Sequence, residues 1–280
     1  MNRSTVRELL QRTGVRPAKR LGQSFLVDEG VLDDIEAILV RHAPKTVIEI
    51  GPGLGAVTEV LLRHAQRVVA IEVDRRLARY VEERFSGSDA LSVCVEDVLR
   101  FDFAEELAGE PAYVVGSLPY RITAPILKRL MGHRGTLSGG LLITQREVAE
   151  KIAASPGKEG SALGILVRAY ADIELVRRIG RRSFDPIPDV DSSLWTVSFL
   201  DKPRFAANEA AFFSTVRVLY NARRKMLRRV LRDIVPVDAV DAILAAARIG
   251  GDVRGETLGF DELDRLAGAV ADSGLLRGGD

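Results

Sequence analysis

The 280-residue chain has one cysteine, Cys94, and three histidines, His42, His64 and His133, set far apart. A lone cysteine excludes a disulfide framework, and the scattered histidines offer no Cys/His set with zinc spacing, so no metal is expected. No run of about 18 apolar residues occurs, and no membrane partner is expected. The first 20 residues hold six basic residues and one acid, without the apolar stretch of a secretory signal. Internal repeats and low-complexity tracts are absent as well. These absences point to a soluble, cytoplasmic protein. Net charge is nearly absent too, with 40 Lys+Arg against 39 Asp+Glu, and so suggests no partner by itself. What is present is apolar material, 46% of the chain, enough to bury the core of one large domain or of a large and a small one.

Between residues 46 and 199 short β-branched runs alternate with longer helical patterns, which predicts an α/β fold with a parallel sheet covered by helices. Strands are expected at Thr46–Ile50, Arg67–Glu72, Leu91–Val95, Ala112–Val115 and Gly140–Thr144. Helices are expected at Val31–Arg41, Ala56–His64, Arg75–Phe85, Ala124–Met131 and Gln145–Ala153. Two further strands, Asp172–Ile179 and Ser193–Phe199, flank a Pro-bearing loop and suggest a sheet that ends in an antiparallel pair. Past Leu200–Phe205 helical periodicity dominates, in Ala211–Leu231, Val237–Ala247 and Phe260–Ala271. The expected division is therefore residues 1–200 as the sheet domain, with a basic N-terminal segment, and 201–280 as a small all-α domain.

Val47-Ile48-Glu49-Ile50-Gly51-Pro52-Gly53-Leu54-Gly55-Ala56 is an apolar strand running into a glycine turn and a helix start. Glycines permit a tight turn and close ligand approach, and the helix N-terminus offers unpaired N–H groups. Glu72 ends the next apolar run, 21 residues after Gly51, where its carboxylate can accept hydrogen bonds from ribose hydroxyls. Gly51, Gly53 and Ala56 also satisfy the GxGxxG/A pattern of nicotinamide sites, so the motif says nucleotide without saying which. Asp74 reads as the N-cap of the following helix. Asp97, at the same sheet edge, reads equally as an acceptor for an adenine amine or as a solvated turn acid.

The fourth apolar run leads into Gly116-Ser117-Leu118-Pro119-Tyr120. At a nucleotide-binding sheet edge, the Ser117 side chain and a backbone carbonyl near Pro119 can accept hydrogen bonds from an exocyclic amine while Tyr120 stacks on a flipped base. Such bonding aims the amine lone pair at an incoming methyl group, and the reaction then requires in-line positioning.

These motifs, with Leu21-Gly22-Gln23-Ser24-Phe25-Leu26, Ile71-Glu72-Val73-Asp74, Glu96-Asp97-Val98, Gln145-Arg146-Glu147-Val148, Phe184 through Ser192 and Asn221-Ala222-Arg223-Arg224-Lys225, span nearly the whole chain. In that order they resemble the ribosomal small-subunit RNA adenine dimethyltransferases of the KsgA/Dim type, relatives of the Erm methyltransferases. The last two motifs favour the small-subunit branch. The resemblance implies a Rossmann-like methyltransferase sheet and S-adenosylmethionine as donor. The implied acceptors are two adjacent adenosines near the 3' end of small-subunit rRNA, each taken to the N6,N6-dimethyl form within the assembling small subunit; the protein is expected to be a monomer. By position, donor contacts would come from Gln23, Ser24, Leu26, Gly51, Gly53, Glu72, Asp97 and Ser117. The adenine would be held by Ser117, Leu118, Pro119 and Tyr120, with Phe184 as a second stacking ring, although Phe184 alone reads as a packed loop aromatic. RNA contacts would fall to Arg223, Arg224, Lys225 and Arg228.

The chain departs from the family in having Ser24 where Asn is usual, Ser117 where Asn or Asp is usual, and Ser161-Ala162 where Tyr-Gly is usual. Loss of one hydrogen bond at the reacting amine costs about 1 to 3 kcal/mol, roughly 5- to 150-fold in rate, which describes a slower enzyme rather than a dead one. An assembly factor that has lost methyl transfer, an Erm-type large-subunit enzyme and a nicotinamide oxidoreductase are the alternatives. The net charge conceals polarity: residues 1–20, Arg177–Arg182 and Arg217–Arg232 carry +16 between them, leaving −15 on the rest. A continuous helix through the third tract would put Arg217, Arg224 and Arg228 near one face. Three basic tracts point to phosphate contacts that weaken with salt.

Overall fold

The computed structural model describes residues 1–17, 23–157 and 159–274. Leu21 and Gly22 of the first motif, and Lys19 and Arg20 of the first basic tract, lie outside the described residues. The chain divides into two compact units, Met1–Ala149 with Ile173–Phe199, and Glu150–Asp172 with Leu200–Asp280. Glu150–Asp172, which the division at residue 200 puts with the sheet, groups here with the C-terminal residues.

Nine strands form in the described residues: β1 Phe25–Leu26, β2 Thr46–Ile50, β3 Arg67–Glu72, β4 Leu91–Val95, β5 Ala112–Ser117, β6 Leu137–Gln145, β7 Ala171–Ile179, β8 Phe184–Asp185 and β9 Ser192–Phe199. Seven of them make one sheet in the order β4-β3-β2-β5-β6-β9-β7. The pairs β2/β3, β3/β4, β2/β5 and β5/β6 are parallel, whereas β9 inserts beside β6 in the antiparallel sense. β2 is buried at every position because helices cover a central parallel strand on both faces, which its unbroken Thr-Val-Ile-Glu-Ile run suits apart from the glutamate.

Helices Glu29–His42, Ala56–His64, Arg75–Arg84 and Thr123–Gly132 pack on this sheet. Asp74 caps the third of them, accepting from the Arg76 amide at 3.0 Å, as its place before the helix implies. A helix not expected from sequence, Arg3–Thr13, buries Val6 in a cluster with Phe25, Leu54, Leu77, Tyr80 and Val81.

In the second unit, helices Glu209–Asn221, Leu227–Leu231, Val240–Ala247 and Phe260–Asp272 follow in order. Its core includes an aromatic group of Tyr170, Phe205, Phe212 and Phe213, with Phe205 stacked on Phe212 at 4.4 Å between ring centroids. The continuous helix expected over Ala211–Leu231 is corrected by the structure. Helical hydrogen bonding stops at Asn221, Lys225 N–H turns back to the Ala222 carbonyl at 2.8 Å, and Met226 is extended and bridged to Arg254. The polar run Asn-Ala-Arg-Arg-Lys has no large apolar side chain to bury at helical spacing, so packing does not hold it in a helix. The wheel that aligned Arg217, Arg224 and Arg228 therefore does not exist.

Candidate active site

The sheet reverses its strand order at β2, with β3 on one side and β5 on the other, and ligands of open α/β sheets bind outside the carboxyl ends of strands at such a point. A cavity of about 330 Å³ opens there, a volume suited to a small ligand. Gln23, Ser24, Leu26, Gly51, Gly53, Glu72, Asp97, Ser117, Leu118, Pro119, Tyr120 and Phe184 all line it. The structure thus gathers every residue expected to hold a donor or an adenine.

Gly51 and Gly53 have φ of 70° and 58°, in the left-handed region. A Cβ at Gly51 would meet nothing within 4 Å, whereas one at Gly53 would stand 3.0 Å from the Phe25 ring. The turn therefore requires glycine for conformation at both positions and for space at the second. Phe25, absent from the expected site, seats on the turn.

Glu72 is buried at the end of β3. Its Oε2 accepts from the Gly53 amide at 3.3 Å and its Oε1 from the Asp74 amide at 2.9 Å. Burial pushes its carboxyl above the usual range, and these amide bonds oppose that rise. Each oxygen retains acceptor capacity for a diol. Asp97 uses Oδ1 to accept from the Leu99 amide at 2.9 Å, so it closes its own turn while lining the cavity.

Ser117 ends β5 and is exposed, while Leu118 is 1% exposed and packs rather than presenting its side chain. The Pro119 carbonyl already accepts from the Ile122 amide and from Thr123 Oγ1, each at 3.0 Å. With the Pro119 carbonyl engaged, the Leu118 carbonyl, next in the chain to Ser117, is the other backbone acceptor at this turn. Tyr120 Oη stands 3.0 Å from Ser192 Oγ, which fixes the ring, and burial pushes its phenol up. Phe184 is 3% exposed, at once a packed aromatic and part of the cavity wall. Ser24 Oγ donates to the Pro186 carbonyl at 2.6 Å.

Glu49 also lines the cavity, 2% exposed, and accepts from Thr58 Oγ1 at 2.6 Å. Desolvation pushes its carboxyl to about 8, with the neighbouring Glu72 adding to the rise. A glutamate inside an otherwise apolar strand was its visible signal. Among the described residues no group of three or more His, Cys, Asp or Glu could hold a metal ion, and no helix is long and apolar enough to cross a membrane.

The expected RNA-binding side chains lie in the second unit. Arg223 Nε pairs with Glu256 Oε2 at 2.9 Å, Lys225 Nζ with Asp233 Oδ2 at 3.4 Å, and Arg228 with Asp241. Arg224, Arg229 and Arg232 are exposed and have no acidic partner among the described residues.

This sheet, with its cavity at the strand carboxyl ends, defines a Rossmann-like S-adenosylmethionine-dependent methyltransferase fold carrying a helical C-terminal part. Residues 15–266 match the family model described as ribosomal RNA adenine dimethylase. The chain is 34% identical over 265 residues to "Ribosomal RNA small subunit methyltransferase A" of Hahella chejuensis, covering 94% of this chain and 96% of that one. It is 36% identical over 277 residues to the protein of that name from Geobacillus kaustophilus, with 95% and 94% covered. Among solved structures, the 23S rRNA methyltransferase ErmE aligns with TM-score 0.69 and 27% identity over 88% of this chain and 99% of that one. A dimethyladenosine transferase from Plasmodium falciparum shares the fold, with TM-score 0.77 and 24% identity over 90% of this chain and 99% of that one. The chain belongs to the ribosomal RNA adenine dimethylase family.

Proposed function

We propose that the protein transfers methyl groups from S-adenosylmethionine to N6 of two adjacent adenosines near the 3' end of small-subunit rRNA, as a cytoplasmic monomer acting on the assembling subunit. The observation that carries this is the convergence of five separate stretches, around Ser24, Gly51, Glu72, Asp97 and Ser117, on one cavity. Its fit to the donor rests on the open space beside Gly51 and on acceptor capacity left on Glu72 and Asp97.

When bound, the donor supplies an electrophilic methyl group. Gly51 and Gly53 admit it against the backbone, Glu72 holds its ribose and Asp97 its adenine amine. Gln23, Ser24 and Leu26 close over it. Ser117 Oγ and the Leu118 carbonyl accept from the N6 amine of the target adenine and direct its lone pair, while Tyr120 and Phe184 stack on the base. Leu118 and Pro119 shape the pocket through packing and the turn. Arg224, with Arg229 and Arg232, meets RNA phosphates, and the paired Arg223, Lys225 and Arg228 hold the surrounding fold that presents them.

Incubation with undermethylated small subunits and labelled donor, followed by nucleoside mass spectrometry, tests the proposal. N6,N6-dimethyladenosine is the expected product. Subunit binding without it would favour an assembly factor.

A further inference from the structure

Two strips that approach the cavity from distant parts of the sequence are fastened to each other along their length. Val27 N–H donates to the Ser183 carbonyl at 2.8 Å, Leu26 and Phe25 pair antiparallel with Phe184 and Asp185, and Ser24 Oγ donates to the Pro186 carbonyl at 2.6 Å. The first strip contains the proposed donor contacts Ser24 and Leu26, and the second contains the proposed base-stacking Phe184. A ladder of two residues on each side has little stability of its own.

Its support is the N-terminal helix Arg3–Thr13. Arg3 Nη1 lies 3.4 Å from Asp185 Oδ1 and Arg7 Nε lies 3.3 Å from Asp185 Oδ2, while Arg3 also donates to the Arg182 carbonyl. The Asp185 side chain is only 10% exposed, so its charge requires the counter-charge these arginines supply. Val6, fully buried, anchors the helix on the glycine-turn side of the unit, in the cluster that contains Phe25 and Leu54.

We propose that Arg3 and Arg7 are positioning residues for methyl transfer: through Asp185 they hold the ladder that sets Phe184 and Ser24–Leu26 against the cavity. The proposal rests on the reading of this cavity as the donor and adenine site. It removes Arg3 and Arg7 from the phosphate-binding role that their basic tract suggests. The two roles predict changes in different quantities for Asp185→Asn. Removal of a negative charge beside bound RNA tightens binding, whereas removal of the anchor of a clamp slows transfer.

The test uses the full chain as wild type, Arg3→Gln/Arg7→Gln, Asp185→Asn and the triple variant. Each is assayed for turnover on undermethylated small subunits at saturating donor and subunit, for S-adenosylhomocysteine affinity by calorimetry, and for the salt dependence of subunit binding. Turnover is expected to fall about three- to tenfold in the double variant and in Asp185→Asn alike, the range of a modest loss of orientation. The triple variant should be no slower than either, because one clamp is being removed. The salt dependence should keep its slope, and Arg3→Lys/Arg7→Lys should recover more than half of wild-type turnover. A shallower salt slope for the double variant together with tighter subunit binding by Asp185→Asn would overturn the proposal. So would multiplicative losses in the triple variant, or a lysine variant as slow as the glutamine one. A wild type that binds subunits and S-adenosylhomocysteine yet transfers no methyl group overturns the parent reading instead, and is seen in the same assay.

Discussion

Glu49 holds a carboxyl in the centre of a parallel strand, where desolvation raises it to about 8. The unfolded chain titrates this group near 4.5, so the protonated form is favoured by folding. The stability it contributes is fully present below that value and is lost as pH rises through about 8. Thermal melts should show wild type losing on the order of a few kcal/mol between pH 5 and 9, and Glu49→Gln losing distinctly less. Equal pH dependence in the two proteins would show that Glu49 is ionised in the folded state. Glu72 serves the glycine turn and the proposed ribose contact together, so Glu72→Ala should weaken S-adenosylhomocysteine binding by roughly tenfold or more in calorimetry. Ser117→Asn restores the family's usual amide at an exposed position with room for it, and turnover should be preserved or raised. A large loss on that substitution would mean a pocket rebuilt for another substrate.

At the scale of elements, the glycine turn and the broken basic helix carry the clearest consequences. Gly53→Ala combines a left-handed φ with a Cβ set 3.0 Å from Phe25. The strain is about 1–2 kcal/mol before any steric cost, which should lower the melting temperature by several degrees and weaken donor binding. Arg223 supports the segment after Asn221 by pairing with Glu256, whose side chain is 8% exposed, and by donating to the Gly160 carbonyl at 3.0 Å. Arg223→Ala strands a buried carboxylate and should cost about 3 kcal/mol of stability, read as a lowered denaturation midpoint. β2, β3 and β4 and the helix Ala56–His64 stand where periodicity puts them, because each is bounded by a glycine turn or a polar cap and its pattern is local. The β1/β8 pair was illegible, since each strand has two residues and its partner lies about 160 positions away; Ser24 and Pro186, just beyond it, are 162 apart. The break at Asn221 was hidden for the opposite reason. Helix propensity across Ala222–Lys225 is adequate, and bonds from Leu227 and Arg228 to Val253 and Gly251 override it.

Over the whole molecule, the near-zero net charge resolves into cations that the fold has consumed and cations that it has left. Arg3, Arg7, Arg177, Arg223, Lys225 and Arg228 have carboxylate partners. Arg181, Arg182, Arg224, Arg229 and Arg232 have none among the described residues and are exposed. Only an unpaired cation releases counterions fully on meeting phosphate. Replacing Arg224, Arg229 and Arg232 with Gln should therefore flatten the salt dependence of subunit binding by close to one unit of slope each, while Lys225→Gln changes it little. Filter binding over a range of salt concentrations reads the difference. The sequence by itself determined the sheet, the glycine turn, the acids that end the strands and the family, because these are written in local spacing and in motifs read in order. Only the tertiary structure decided which arginines are free, that Phe25 and Phe184 share a wall, and that Glu49 is buried. Ion pairing and burial depend on which distant segments meet, and hydrophobic packing settles that after local propensity has formed the elements.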